Sequence, residues 1–312
     1  MARQSDEKVV LFGSGKIGLR VFERIGSKIV AVIDNNPEKW GKKFMQDIPI
    51  ISMEEYLKKY KIFPIIIASI YAKEMEEQLK RNEIYNYSHA IEIWKHNDVP
   101  FDEEIAHGNW PYYLKKMCDN PNAEILELGS RRVNKQDKWN EYFERANYTG
   151  FDYYPGENVN VVGDAHNLSQ YFDKKFDLIF SSAVFEHLAM PWKVALEIIK
   201  LLKPGGYVFI ETHYSFGSHE RPWHFFQYSE EALNILFPEK FGMRCIKKSC
   251  SNLISGQFSE EASPYLRGKT VGGLYCHSEF MAQKIEDVPT KELSWDFISL
   301  DDVTGEKKYP LR

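Results

Sequence analysis

Short, continuous apolar runs alternate along this chain with stretches whose apolar residues recur at helical spacing, a rhythm that predicts repeated strand–helix–strand units. In the N-terminal third the strand-like runs are 8–13 (KVVLFG), 28–33, 64–69 and, more weakly, 89–93. Helical patterns lie between them at 19–25, 52–60 and 73–81. Near Trp94 the rhythm stops. Residues 95–122 are polar, with prolines and the aromatic residues Trp110, Tyr112 and Tyr113, and a short helix is expected at 113–117. From Ala123 the rhythm resumes. Strands are expected at 125–126, 148–151, 160–162, 176–181 and 207–212, with late ones at 243–248 and 274–284, and helices at 192–202 and 230–237. Lys203-Pro204-Gly205-Gly206 ends the first of those helices, because proline and glycine cannot continue it. The expected class is α/β with two open parallel sheets: a small unit over 1–97, a connector over 98–122, a second domain over 123–285 and a polar, surface-wrapping tail over 286–312.

Two strand ends break on glycine. The first runs into Gly13-Ser14-Gly15-Lys16-Ile17-Gly18, and the next strand ends in Asp34, about twenty residues on. Such glycines let backbone approach a pyrophosphate, and Asp34 could accept from a ribose hydroxyl. With no strands expected beyond Trp94, this unit reads as about half of a dinucleotide fold. The Tyr-x-x-x-Lys pair of short-chain dehydrogenases is also missing here; Tyr112–Lys116 falls in the connector and Tyr171–Lys175 in the second domain. The unit either binds a nucleotide or nucleotide-sugar, or only packs and dimerises. The second break is at AEILELGSRR, where Glu127 closes a strand, Gly129 opens a turn and a helix is expected to follow, leaving unpaired N–H groups around a crevice.

Composition narrows the partners. The 312 residues are 43% hydrophobic, enough for two cores, and the net charge of −5 with dispersed lysines argues against nucleic acid. No apolar leader opens the chain and its longest apolar run, 64–70, is too short for a bilayer, so no membrane partner and a cytoplasmic location are expected. Cys118, Cys245, Cys250 and Cys276 show no metal-ligand spacing and read as reduced thiols.

The successive blocks ILELGS, GFDYYPG, VVGDAHNL, FDLIFSSAVFEHL and LLKPGGYVFIET resemble a class I S-adenosylmethionine-dependent methyltransferase over about half of the chain. The resemblance implies a C-terminal class I methyltransferase fold with S-adenosyl-L-methionine as cofactor. It places Glu127, Gly129, Ser130 and Arg131 on the methionine and ribose side, and Asp152 with Tyr153 at the ribose. Asp164 and Ala165 would stand at the adenine, and Ser181 and Ser182 beside the cofactor after the fourth strand. The family's usual run of three glycines is replaced after Gly129 by Ser130, Arg131 and Arg132, so Arg131 either holds the methionine carboxylate or partly closes the pocket. The N-terminal unit resembles the Rossmann-like modules that stand beside bacterial polysaccharide and nucleotide-sugar modifying enzymes, with Gly13, Gly15, Gly18 and Asp34 as its nucleotide site.

An oxygen acceptor must lose a proton near neutral pH, which calls for a histidine or carboxylate. Glu186 and His187 follow the fourth strand of the second domain and His213 the fifth, and Ser218–Phe226 (SHERPWHFF) adds His224. These four are the catalytic candidates; His107, His166 and His277 read as structural. Glu211, His213, Glu220 and His224 could gather a divalent ion, but their spacing fits no ligand pattern and metal is left unassigned. Trp223, Phe225 and Phe226 suit a sugar face. The expectation is methyl transfer to a hydroxyl of a sugar or nucleotide-sugar in surface polysaccharide synthesis, by a chain that could be a homo-oligomer. The alternatives are a non-catalytic scaffold that binds the cofactor or a nucleotide, and a dehydrogenase built on the N-terminal motif.

Overall fold

Val9–Phe12 (β1) is four apolar residues in a row, all buried, the pattern of a strand covered on both faces. The computed structural model describes residues 7–133 and 139–304 and divides into two units, 1–98 with 253–274 and 99–252 with 275–312.

In the first unit β1 leads into helix α1 (Lys16–Ile25), β2 (Ile29–Ile33) and β3 (Ile50–Ile51). A short helix α2 (Met53–Glu55) then runs into a π turn at Tyr56–Tyr60, with Ser52 capping it by accepting from Glu55 N at 3.1 Å. Next come β4 (Ile65–Ile67), α3 (Ala72–Arg81) and β5 (Tyr87–His89). The strands lie in the order β3-β2-β1-β4-β5, all parallel. Two expectations need correction. The strand foreseen at 89–93 is Tyr87–His89, and Ile91–Ile93 is a 3-10 turn. The half-fold reading also fails, because β4 and β5 lie on the other side of β1 and give the sheet a switch point between β1 and β4. The two-residue β3 is too short to stand out in a sequence.

The first glycine turn is built by close approach. Gly13 sits at φ +121°, where a Cβ would come within 2.6 Å of the Ala68 carbonyl, and a Cβ on Gly18 would meet the Gly13 carbonyl at 2.3 Å. Gly15 faces open space. Residues 253–274 belong to this unit through Thr270 N to Ile70 O (3.1 Å) and Gly273 N to Trp94 O (2.6 Å).

The second unit opens with α4 (Trp110–Cys118), longer than the helix foreseen at 113–117, with Pro111 in its first turn. There follow β6 (Glu124–Leu128), β7 (Asn147–Asp152), β8 (Val161–Val162), β9 (Phe176–Ser182), α5 (Pro191–Leu201) and β10 (Leu202–His213). After α6 (Glu230–Ile235) come the long strands β11 (Met243–Gln257) and β12 (Thr270–Lys284), and then α7 (Leu300–Thr304). The sheet order is β11-β12-β10-β9-β6-β7-β8, parallel from β10 to β8 and antiparallel between β10 and β12. Alternation therefore breaks into fully apolar runs at the centre: Leu178, Ile179 and Phe180 of β9 are wholly buried, as are Val194, Ala195, Ile198 and Ile199 of α5. Each of these side chains larger than alanine contributes about 1.5–3 kcal/mol. Lys284 is buried where β12 passes the end of α5, donating to the carbonyls of Ile199 (2.8 Å) and Leu202 (3.0 Å).

The tail is anchored at two points. Leu293 enters the core, and Trp295 packs edge-on against Phe241 and donates to Trp192 O at 2.9 Å. The helix expected after Gly129 does not form over Ser130–Val133; residues 134–138 lie outside the described residues, and Trp139–Tyr142 is a 3-10 turn. The reason is where the amides go. Gly129 N and Ser130 N donate to Phe151 O, Arg131 N to Asp152 Oδ2, and Arg132 N to Glu157 O. The segment is stitched to β7 and its following loop, so no bare helix start stands at the crevice.

Candidate functional site

The parallel strands of the second unit end together, and the residues foreseen for a cofactor sit at those ends. Gly129, at φ +80°, makes the turn after β6; a Cβ there would lie 2.2 Å from Val184 Cγ2, so the left-handed turn is held against the loop after β9. Glu127 is buried and accepts from the Tyr148 hydroxyl, which itself accepts from Asn158 Nδ2 at 2.8 Å. Burial, then the Glu127 charge, pushes that phenol far above its ordinary range, so Tyr148 stays a donor. Asp152, at the end of β7, receives Arg131 N (3.1 Å) and Tyr154 N (2.9 Å), and Arg131 Nε stands 3.6 Å from its other oxygen. Arg131 also lies over the Tyr154 ring at 5.6 Å, while Tyr153 is exposed. Arg132 turns away, to Glu157 and Asn140.

Asp164 follows β8 and starts the 3-10 segment Ala165–Tyr171. Burial alone would raise its carboxyl, but the His166 backbone N–H (2.9 Å) and ring (2.7 Å) outweigh that and hold it low. His166 is thereby structural, its Nε2 accepting from Met190 N at 3.3 Å. Ser182 donates to Glu211 at 2.9 Å. The hydroxyls of Ser130 and Ser181 are buried without a hydrogen-bond partner, one beside the glycine turn and one at the end of β9.

The second half of the site stands at the ends of β9 and β10. Glu186 is completely buried, and Thr212 donates to its Oε2 at 2.6 Å. His213 Nδ1 lies 2.9 Å from Oε1, off the line of a hydrogen bond, and His187 Nε2 lies 3.9 Å away. Burial would raise the Glu186 carboxyl, but His213 and Thr212 more than offset this and keep it ionised. His187 Nδ1 donates to Trp223 O at 2.8 Å. The rings of His187, His219 and His224 stand within 6.1 Å of one another, and His213 stacks on Phe216. Burial lowers His224, and the neighbouring His219 and His187 lower it further. Glu186, His187, His213 and His224 are thus one cluster.

Three further histidines stand at or beside this cluster. His219, next to the candidate His224, belongs to the cluster. His107 and His277 stack face to face at 4.0 Å, with His107 Nδ1 2.8 Å from Glu211, and His277 pairs with His213 across β10 and β12. Only the strand register brings His277 there, and no spacing in the sequence carries that register. In the first unit Gly13, Gly15 and Gly18 form the expected turn, and Asp34 stands at the end of β2. Its carboxylate is held low: burial opposes ionisation, but Ser14, Asn36 N and Lys39 (2.9 Å) prevail. Two surface hollows, 330 Å³ at Glu103 and Tyr113 and 490 Å³ at Arg24 and Glu92, include none of these residues.

Residues 123–210 match the family described as methyltransferase domain, and residues 5–89 match one described as C2185-like, N-terminal. This chain carries a methyltransferase domain. Two curated relatives of that domain are a tRNA U34 carboxymethyltransferase of Campylobacter curvus (27% identical, 43% of this chain, 51% of the relative) and one of Campylobacter concisus (28%, 44% and 54%). The chain therefore spans about half the length of the curated relatives it matches. Similar solved structures include a SAM-dependent methyltransferase from Archaeoglobus fulgidus (17% identical, 56% of this chain, 93% of that one, TM-score 0.40). Another is the Burkholderia thailandensis 1,6-didemethyltoxoflavin-N1-methyltransferase (14%, 77%, 94%, TM-score 0.40).

The strand ends of the methyltransferase domain fit the cofactor of its class. The unpartnered Ser130 and Ser181 hydroxyls offer hydrogen bonds beside the left-handed Gly129 turn and at the end of β9. Among the described residues no helix is long and apolar enough to cross a membrane.

Proposed function

We propose that the methyltransferase domain methylates a hydroxyl of a small polar acceptor, a sugar or nucleotide-sugar of surface polysaccharide synthesis, in the cytoplasm. The observation that carries this is the buried, ionised Glu186 with His213 Nδ1 at 2.9 Å, at the ends of the strands next to the cofactor end of the sheet. The cofactor supplies an electrophilic methyl on a sulfonium; the protein aligns the acceptor, excludes water and removes a proton. Asp152 would hold the ribose hydroxyls once Arg131 yields, and Asp164 with Ala165 would meet the adenine. His213 is the base: its Nε2 takes the hydroxyl proton and Glu186 stabilises the imidazolium that results, the division of labour of a histidine–carboxylate pair. Trp223 and Phe225, both exposed beside the cluster, supply flat apolar faces for a sugar ring. The first unit, through Gly13, Gly15, Gly18 and Asp34, would by itself bind a nucleotide or nucleotide-sugar. Methyl transfer to a panel of nucleotide-sugars tests this reading; cofactor binding without turnover on any of them would leave a scaffold.

A second reading takes tRNA as the acceptor, favoured by the names of the two curated relatives. The net charge of −5 opposes it. Salt-sensitive binding of tRNA in a mobility-shift assay would decide for it.

A further inference from the structure

The histidine cluster holds more acid–base groups than one proton transfer needs, and three of them are oriented in a way a base does not require. The Glu186 carboxylate is wholly buried with Thr212 on Oε2, while Oε1 has no donor in line with it. His187 Nδ1 lies 2.8 Å from the Trp223 carbonyl and His219 Nδ1 2.9 Å from the Gly217 carbonyl. A carbonyl can only accept, so each Nδ1 bears the proton and each Nε2 presents a lone pair. Metal-ligating histidines are fixed in this way, the far N–H tied to a carbonyl so that the tautomer and ring direction are set before the ion arrives. One carboxylate oxygen and one ring nitrogen from each histidine lie within 4.8 Å of one another.

We propose that Glu186, His187 and His219 bind a single divalent transition-metal ion of the zinc or cobalt class. Two imidazoles and a carboxylate are a donor set suited to zinc and leave a coordination position open. Metal bonds of about 2.0–2.2 Å draw the three groups inward. Glu220, whose Oε2 is 3.7 Å from His187 Nε2, stands where a further ligand could close on the ion. The neighbouring group His107, Glu211 and His277 is the poorer candidate. Both Glu211 oxygens are engaged by Ser182, Trp110 and His107, and the stacked rings direct their in-plane lone pairs side by side rather than at one point. The site shares Glu186 with the proposed reaction, adds His187 and His219 to it, and does not depend on which acceptor is methylated.

The full chain, stripped with a chelator, is titrated with Co²⁺ and followed by its visible ligand-field bands, and with Zn²⁺ by calorimetry. One ion per chain is expected, with a rise in melting temperature because the ion binds the folded state. His219→Ala should weaken Zn²⁺ binding at least tenfold, and His187→Ala and Glu186→Gln roughly a hundredfold, whereas His107→Ala should bind as the natural chain does. His219 lies in a loop, so its variant remains informative if Glu186→Gln does not fold. Absence of ligand-field bands, or Zn²⁺ binding by His219→Ala equal to that of the natural chain, overturns the site. S-adenosylhomocysteine binding measured on the same samples separates the two claims: retained without metal binding, it sinks the metal site alone; lost in the stripped natural chain even after metal is restored, it sinks the reading of the domain.

Discussion

The chain turns a parallel strand into a loop on glycine twice, and the two turns are built differently. In the first unit Gly13 and Gly18 are needed because backbone and helix pack against them, and α1 starts directly after Gly15, whose surroundings are open. In the second unit Gly129 starts no helix, and the four amides from Gly129 to Arg132 are spent on β7 and its loop. The acids that follow are alike. Asp34 is tied to Lys39 and Asp152 to Arg131, so each carboxylate that could meet a ribose already faces a cation. An open helix start belongs to the unit with no reactive cluster, and the reactive cluster to the unit whose amides are consumed. On the reading proposed above, the first turn would take a nucleotide and the second unit the cofactor and the chemistry, a division that experiment can break.

The largest expected effect falls on chemistry. His213→Ala should lower turnover on the order of a hundredfold or more, with S-adenosylhomocysteine affinity nearly unchanged, if the imidazole handles the acceptor proton as proposed. Steady-state rates beside calorimetry check this. Turnover that survives His213→Ala and disappears in His187→Ala would move the base to the residue the sequence pointed to first.

Next in size is the ribose contact proposed for Asp152. Asp152→Ala should weaken cofactor binding by roughly 1–3 kcal/mol, while Asp34→Ala leaves it unchanged. Equal losses in both variants would show that the division drawn above is wrong.

Much of this was legible before any coordinates. The strand runs and the acids at their ends follow from apolar continuity broken by a charged residue, which is why Asp34, Asp152 and Asp164 all stand at strand ends. What was misread depends on partners that a linear pattern does not contain. The segment after Gly129 has residues able to form a helix, but its amides find carbonyl and carboxylate acceptors on β7 first. The nearness of His277 to His213 is likewise a matter of antiparallel register. The first unit looked like half a fold because a two-residue strand and a crossover past β1 leave almost no sequence signal.

The rim also carries two opposed acid–base linkages. Burial holds His277 down at about 4, with Glu211 pulling the other way, and burial raises Glu279 to about 7 against a hydrogen bond from Ser251. His277 is depressed when folded, so its contribution is complete above the ordinary histidine range and is lost as pH falls toward 4. Glu279 is raised when folded, so its contribution is complete below the ordinary glutamate range and is lost as pH climbs through 7. Between those limits the slopes oppose. Denaturant unfolding at several pH values should show stability falling with pH in His277→Gln and rising with pH in Glu279→Gln. Parallel slopes in the two variants would mean that neither group is held as described.

The smallest effect bears most directly on the comparison. Arg131 could either grip the methionine carboxylate or cover the acid behind it, and the structure puts its Nε 3.6 Å from Asp152 and its guanidinium over Tyr154. The side chain is half-exposed, so the pair is screened and is worth on the order of 1 kcal/mol or less. If Arg131 covers the acid, the cofactor has to displace that pair, and Arg131→Ala should bind S-adenosylhomocysteine a few-fold more tightly. Removing the competing cation from the first turn, by Lys39→Ala, should leave that affinity where it was. Weaker binding in Arg131→Ala would assign the guanidinium to the methionine carboxylate instead, and the likeness between the two cation-covered acids would then be one of position and not of role.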